Sequence, residues 1–451
     1  MNTTVSLNGA GRRATGAARL RSLILDTPIT SKVLIYIELI YVLTVFFIVN
    51  SLGAPYAAIY ILDLLNATAV LCSLKKAKPV FHYVKYGAVL WVFFAFCALL
   101  TLSDVLNAVS FPLVIWAFRN TFRLFGFFMA CVTLLDMGDV ERIMKVFYAF
   151  QIVNVFVSLF QFYALGLRQD NLGGIFGSAS GCNGYSNIFF CMPLCYYAMF
   201  CLSGKKPIKY LVIICCSTLV LAAMAEIKFY FFEFSIIMMV AVVVYVQKVR
   251  AFVVAALSVI VLLVGLQVFA SVFPDSYKSL FDVKAMTDYS TKGMAGYELS
   301  RFGAFGEINQ LIFNNDPVKE LFGVGFGGAE MSSSIPMFNS DFYHQWGYLN
   351  YRWFSHQMWY IETGLVGFLL FVSLFVGHFS YTVRLIVRCP KYKVLLQFVA
   401  LFTLVAIINL WYNCSTRIEA GYIIYFALSI SCIVAKSLFN PDVERGILSV
   451  S

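Results

Sequence analysis

"FSHQMWYIETGLVGFLLF", residues 354–371, begins aromatic and polar and ends wholly apolar. It sets His356 and Glu362 where a wet segment enters a greasy one. The apolar part continues to residue 378. That is the length of helix needed to cross about 30 Å of hydrocarbon. Similar runs recur at 33–52, 56–73, 84–102, 109–133, 145–166, 185–203, 210–226, 230–247, 251–273, 394–413 and 419–438. The reading is an all-α fold: a polytopic membrane helix bundle of about 12 transmembrane helices.

Composition supports the same solvent. The 451 residues are 61% hydrophobic and only 12% charged, where soluble domains carry about 25% charge. Most of the 12 cysteines lie inside apolar runs, where they act as small hydrophobes. No CxxC pair occurs, so no zinc site or disulfide framework is indicated. Whether Cys182 and Cys414 pair stays open.

The net charge of +10 is distributed by side. Arg12, Arg13, Arg19, Arg21 and Lys32 precede the first run, and further groups such as Lys75, Lys76 and Lys78 fall in alternate connections. The other short connections hold only Arg168, Lys228 and Arg417. This is the positive-inside bias, which places both termini in the cytoplasm and makes nucleic acid an unnecessary partner. The chain then divides into a cytoplasmic basic segment (1–32), which reads as a retained signal anchor, and nine spans (33–273). A large extracytoplasmic loop (274–355), three more spans (356–438) and a cytoplasmic tail (439–451) follow.

The loop is rich in glycine and aromatics, so it is expected to be ordered. "ELSRFGAFGEINQLIF", residues 298–313, has helical periodicity, with Phe302, Phe305, Ile308, Ile312 and Phe313 on one face. "NNDP" breaks it.

Several residues carry candidate chemistry, each with a plainer reading beside it. His356 can accept a proton at neutral pH, or be an interfacial histidine bonded to a carbonyl. Arg301 can grip phosphate through paired charge-assisted bonds, or be solvated or paired with Glu298. Lys228 is functional, or snorkels from its helix end. Glu226 stands at the wrong spacing to be its same-face helical partner. Arg119 and Arg123 pair with Asp63 or Glu38, or face headgroups. "LFGVGFGG", residues 321–328, including Gly323 and Gly325, lets backbone N–H groups approach an anion, or is a tight turn. Tyr343, Trp346, Tyr348, Tyr351, Trp353, Phe354, Trp359 and Tyr360 stack on sugars or form an interfacial belt.

The order of these signals resembles a family. "GGIFGSASGCNGYSN" (173–187), "AEIKFYFFEF" (225–234), the segment at 298–313, "LFGVGFGG" and "SHQMWYIETGLVGFLLF" (355–371) follow one another as in the bacterial O-antigen polymerase (Wzy) and O-antigen ligase (WaaL) superfamily. The resemblance covers about residues 165–380. Gln357 stands where asparagine is usual, and Leu299–Ser300 where serine–glycine is usual. These departures fit the polymerases better than the ligases.

The resemblance implies a GT-C-like membrane glycosyltransferase in the bacterial inner membrane, with one large outward-facing loop and no cofactor or metal. It implies a glycan donor on undecaprenyl pyrophosphate, within the lipid bilayer, and leaves room for a chain-length regulator as partner. Arg301 and Lys228, with Arg168, would hold the pyrophosphate. His356 would take the proton of an acceptor sugar hydroxyl, and Glu362 would orient the histidine or cap the turn. The rivals are a ligase moving preassembled glycan to lipid A core and a flippase for lipid-linked oligosaccharide.

Overall fold

The structure is a computed structural model describing residues 28–292 and 298–438. The basic residues Arg12, Arg13, Arg19 and Arg21, and the whole of the predicted tail, 439–451, lie outside the described residues.

Every regular element among the described residues is helical. The helices before the loop are α1 Ile29–Asn50, α2 Ile61–Tyr83, α3 Gly87–Leu106, α4 Phe111–Leu134, α5 Met137–Tyr163, α6 Asn183–Ser203, α7 Ile208–Met224, α8 Lys228–Val244 and α9 Val249–Val272. Short helices α10 Pro274–Phe281, α11 Val283–Lys292, α12 Ala304–Leu311, α13 Pro317–Phe322 and α14 Asp341–Trp346 follow. The chain ends with α15 Ser355–Arg388, α16 Lys393–Asn409 and α17 Gly421–Ser437. Among the described residues, eight helices are long and apolar enough to cross a membrane.

Each apolar run became a helix, but the ends moved. Helix α2 runs ten residues past the predicted end at 73, through Lys75, Lys76 and Lys78. Long lysine stems lie along a helix while their heads reach water, so charge does not end the helix. Helix α5 starts eight residues before the predicted 145, because Asp136 and Asp139 close a capping box. The Asp139 N–H donates to Asp136 Oδ1 at 3.0 Å, and the Asp136 N–H to Asp139 Oδ2 at 2.9 Å.

Helices α6, α16 and α17 form the centre. In α6, 89% of the apolar window is buried in protein, against 22% in α9, which is peripheral. Residues 298–354 sit over the end of the bundle where α15 begins. The Leu299 N–H donates to the Leu349 carbonyl at 3.1 Å. Leu299, Ile308, Phe313, Leu349 and Tyr351 form a small core with Met358, Tyr360 and Ile361 of α15. Phe302 does not join its predicted face and is 70% exposed. The helix starts only at Ala304, so Phe302 lies in the preceding turn. Asn314 and Asn315 both take positive φ, and Asp316 caps α13, as the "NNDP" break requires.

One irregularity positions the rest. Helix α15 is broken at Gly364, with φ 62° and ψ −168°. The 321–328 turn docks into the break: the Val324 N–H donates to the Ile361 carbonyl at 2.9 Å and the Gly325 N–H to the Glu362 carbonyl at 3.1 Å. Backbone meets backbone here without room for a side chain. A Cβ on Gly323 (φ +73°) would lie 2.4 Å from the Glu362 carbonyl carbon, and one on Gly364 would lie 2.3 Å from that of Leu321.

Gly364→Ala and Gly323→Ala should each destabilise the protein by about 2 kcal/mol or more, from positive φ plus the clash. Thermal unfolding in detergent reads this. Gly306→Ala, with open space around its Cβ, should not show that loss and serves as the control.

Candidate functional site

His356 sits in the first turn of α15, 1% exposed. Its Nδ1 faces the Leu410 carbonyl at 3.1 Å and its Nε2 the Arg301 carbonyl at 2.8 Å. Trp411 stacks on the ring, with centroids 5.6 Å apart. A neutral imidazole has one N–H and one lone pair. It can therefore donate to only one of these two carbonyls. The other nitrogen keeps a lone pair pressed against a carbonyl oxygen.

The arrangement follows from how α15 begins. Its first N–H groups have no partner inside the helix. The Ser355 N–H donates instead to the Asn413 carbonyl and the His356 N–H to the Leu410 carbonyl, both at 3.0 Å. The α16–α17 connection thus caps α15 and fixes the ring above it. The Gln357 side-chain amide donates to the Ser300 carbonyl at 3.1 Å, tying in the segment that carries Arg301.

Arg301 lies beside this histidine. Its guanidinium stands over the Phe354 ring at 5.0 Å and the Tyr412 ring at 5.5 Å. Tyr412 stacks on Phe229 at 4.3 Å, and Phe229 is the neighbour of Lys228. These rings link the start of α8, which carries Lys228, to Arg301 and so to His356. Lys228 is 41% exposed and pairs with Glu226 at 3.1 Å. The pair does not use a helical face, in keeping with the spacing. Glu226 lies outside α8 with φ 55°, so it reaches its neighbour by a left-handed turn.

Arg168 is placed differently. Its guanidinium lies over the Phe162 ring at 3.3 Å and donates to the Phe162 carbonyl at 3.0 Å. The chain of rings joining Arg301 to Lys228 does not reach it.

Glu362 bonds the glycine turn and not the histidine. Its Oε1 accepts from the Gly327 N–H at 3.0 Å, and its Oε2 from Arg417 at 2.5 Å. The group met by this turn's Gly327 N–H is therefore the protein's own Glu362 side chain. Arg417 also donates to Glu330 at 2.5 Å and lies 4.7 Å over the Trp359 ring. Burial pushes the Arg417 guanidinium toward lower pKa. The charges of Glu362 and Glu330 more than reverse this, so it stays firmly protonated.

A second, partly buried cluster adjoins the first through Asn120, which donates to Glu330 at 3.1 Å. Arg119 pairs with Asp63 at 2.5 Å. Arg123 pairs with Glu419 at 2.9 Å and with Asp63 at 3.6 Å. Glu38 is fully buried, and neither of its oxygens has a hydrogen-bond partner. A third buried acid, Glu233, accepts from Asn409 Nδ2, and the Asn409 Oδ1 accepts from Asn187 at 3.1 Å.

Sequence reasoning missed Arg417, Glu330 and Glu419 as a site. For Arg417 and Glu419 the one visible signal was charge in "STRIEAG", residues 415–421; Glu330, after the glycine turn, had none. Of the aromatic cluster, Trp359 and Tyr351 are buried core, whereas Tyr348 and Trp353 are more than half exposed. Cys182 and Cys414 are both free thiols. Burial, then the charge of Asp170, pushes the Cys182 thiol up to about 12. No group of three or more metal-ligating side chains occurs among the described residues. No protein-family model matches the chain, and no curated protein matches it.

Arg417→Met should cost about 3–5 kcal/mol, because it leaves two buried carboxylates without a cation. Adding Glu330→Gln and Glu362→Gln to that variant should recover most of the loss in chemical unfolding. A triple variant no more stable than Arg417→Met would show that packing on Trp359, not charge, is what matters.

Proposed function

We propose that the chain is a repeat-unit polymerase of surface polysaccharide, a multi-pass glycosyltransferase of the bacterial inner membrane with about twelve spans. It transfers a glycan from undecaprenyl pyrophosphate to an acceptor sugar hydroxyl at the outward face. The observation that carries this reading is the contact of His356 Nε2 with the Arg301 carbonyl at 2.8 Å, which puts a candidate base beside a candidate phosphate grip.

In this reading the His356 Nδ1–H donates to Leu410, and Nε2 keeps the lone pair. An acceptor hydroxyl donating to Nε2 displaces the Arg301 carbonyl and relieves an unfavourable contact. The hydroxyl oxygen attacks the anomeric carbon as its proton passes to Nε2. The bond from that carbon to the phosphate oxygen breaks, with inversion. The pyrophosphate leaves on its lipid, and Arg301 and Lys228 stabilise the charge it gains. Proton transfer of this kind is worth about 10²–10⁴ in rate. Glu362, held by Gly327 and Arg417, keeps the turn against α15 and so acts on the site through the fold.

A second reading, a flippase for lipid-linked oligosaccharide, draws on Glu38 and Glu233. Both are buried acids within helices, the kind of group that marks ion or substrate paths.

His356→Ala should collapse the surface polysaccharide from long ladders to single units, with transfer down about 10²–10⁴-fold. Arg301→Gln should weaken binding of the lipid pyrophosphate donor about tenfold, the loss of one charge-assisted contact. Unchanged ladders in His356→Ala would remove the polymerase reading. Loss of outward transport in Glu38→Gln, with His356→Ala silent, would favour the flippase.

A further inference from the structure

A cavity of about 440 Å³ lies between α2, α3, α4, α15 and α17. Ligand pockets typically enclose about 300–1,000 Å³. The cavity lies well away from His356. His378, on its wall, stands about six helical turns further along α15. Lys78, also lining it, stands about four turns beyond Asp63 along α2. It plays no part in the reaction proposed above.

Its wall is nearly all hydrocarbon and aromatic, with Phe93, Phe118 and Phe122 prominent. Phe118 is 56% exposed, so the cavity opens sideways through the surface that apolar helices present to lipid. Of the polar groups inside, Tyr86 and His378 are already matched. Tyr86 Oη and His378 Nδ1 are 2.8 Å apart, and His378 Nε2 lies 3.4 Å from Thr382 Oγ1. A polar ligand would find little to bond, and an apolar cavity of this kind does not hold water. The charged group on the lining is Lys78, which is exposed, with exposed Lys75 one turn earlier on the same face.

We infer that this cavity binds one hydrocarbon chain of an anionic membrane phospholipid, with the lipid phosphate held at Lys78 and Lys75. The enclosed wall takes the chain because it removes apolar surface from contact with mobile lipid and from voids. The two lysines select the headgroup, as basic groups at a membrane surface do for anionic lipids. The inference does not depend on the polymerase reading.

The test uses the full chain in nanodiscs. Phosphatidylglycerol with a diazirine on its acyl chain is photolysed there, and adducts are mapped by mass spectrometry. Adducts should concentrate on Phe93, Phe118 and Phe122. Val89→Phe and Ala77→Phe fill the cavity and should each cut those adducts about tenfold, the value of one or two methylenes of burial. Labelling of Phe252 on lipid-facing α9 should stay constant and reports an intact fold. Labelling by phosphatidylglycerol should exceed that by phosphatidylcholine. Lys78→Gln and Lys75→Gln should each reduce the difference about fivefold. Labelling unchanged by the filling variants, or equal from both lipids in the wild type, overturns the assignment. So does labelling by a photoreactive polyprenyl phosphate alone.

Discussion

The break in α15 at Gly364 is the constraint on which the arrangement depends. A helix interrupted in mid-course leaves carbonyls without their usual donors. Here the Ile361 and Glu362 carbonyls are met by N–H groups of the 321–328 turn. That turn can approach only because Gly323 and Gly364 present no side chain where the two backbones cross. The loop is thus bonded into the bundle instead of lying on it. Glu362 adds its carboxylate to the same joint, and Arg417 ties it to the α16–α17 connection.

Charge in the interior follows from that joint. Arg417 stands between two carboxylates; Arg119 and Arg123 share Asp63, and Arg123 also pairs with Glu419. Buried charges persist only when paired. These pairs therefore fix how α2, α4, α15 and two connections meet. The same α16–α17 connection supplies the Leu410 carbonyl to His356 and the Tyr412 ring to Arg301. Structural cations and candidate catalytic groups share one short segment.

Much was legible in the residues alone. Apolar runs of spanning length mark helices because no other structure satisfies the backbone in hydrocarbon while needing only local contacts. His356 at a helix mouth, the "NNDP" stop and a glycine turn were readable for the same local reason. Helix ends were less so: α2 extends through its lysines, and α5 begins on a capping box that hydropathy does not register.

The tertiary structure decided what no local rule carries. It brought Arg301 to His356 across 55 positions of chain, and left Arg168 on Phe162. It turned Glu226 back onto Lys228 and gave Glu362 to the turn and not to the histidine. It also enclosed Arg417, which the sequence presents as one charge in a short connection. The physical reason is range: a helix is specified by neighbours a turn away, whereas an ion pair or a ring capped by two carbonyls is specified only when distant segments pack.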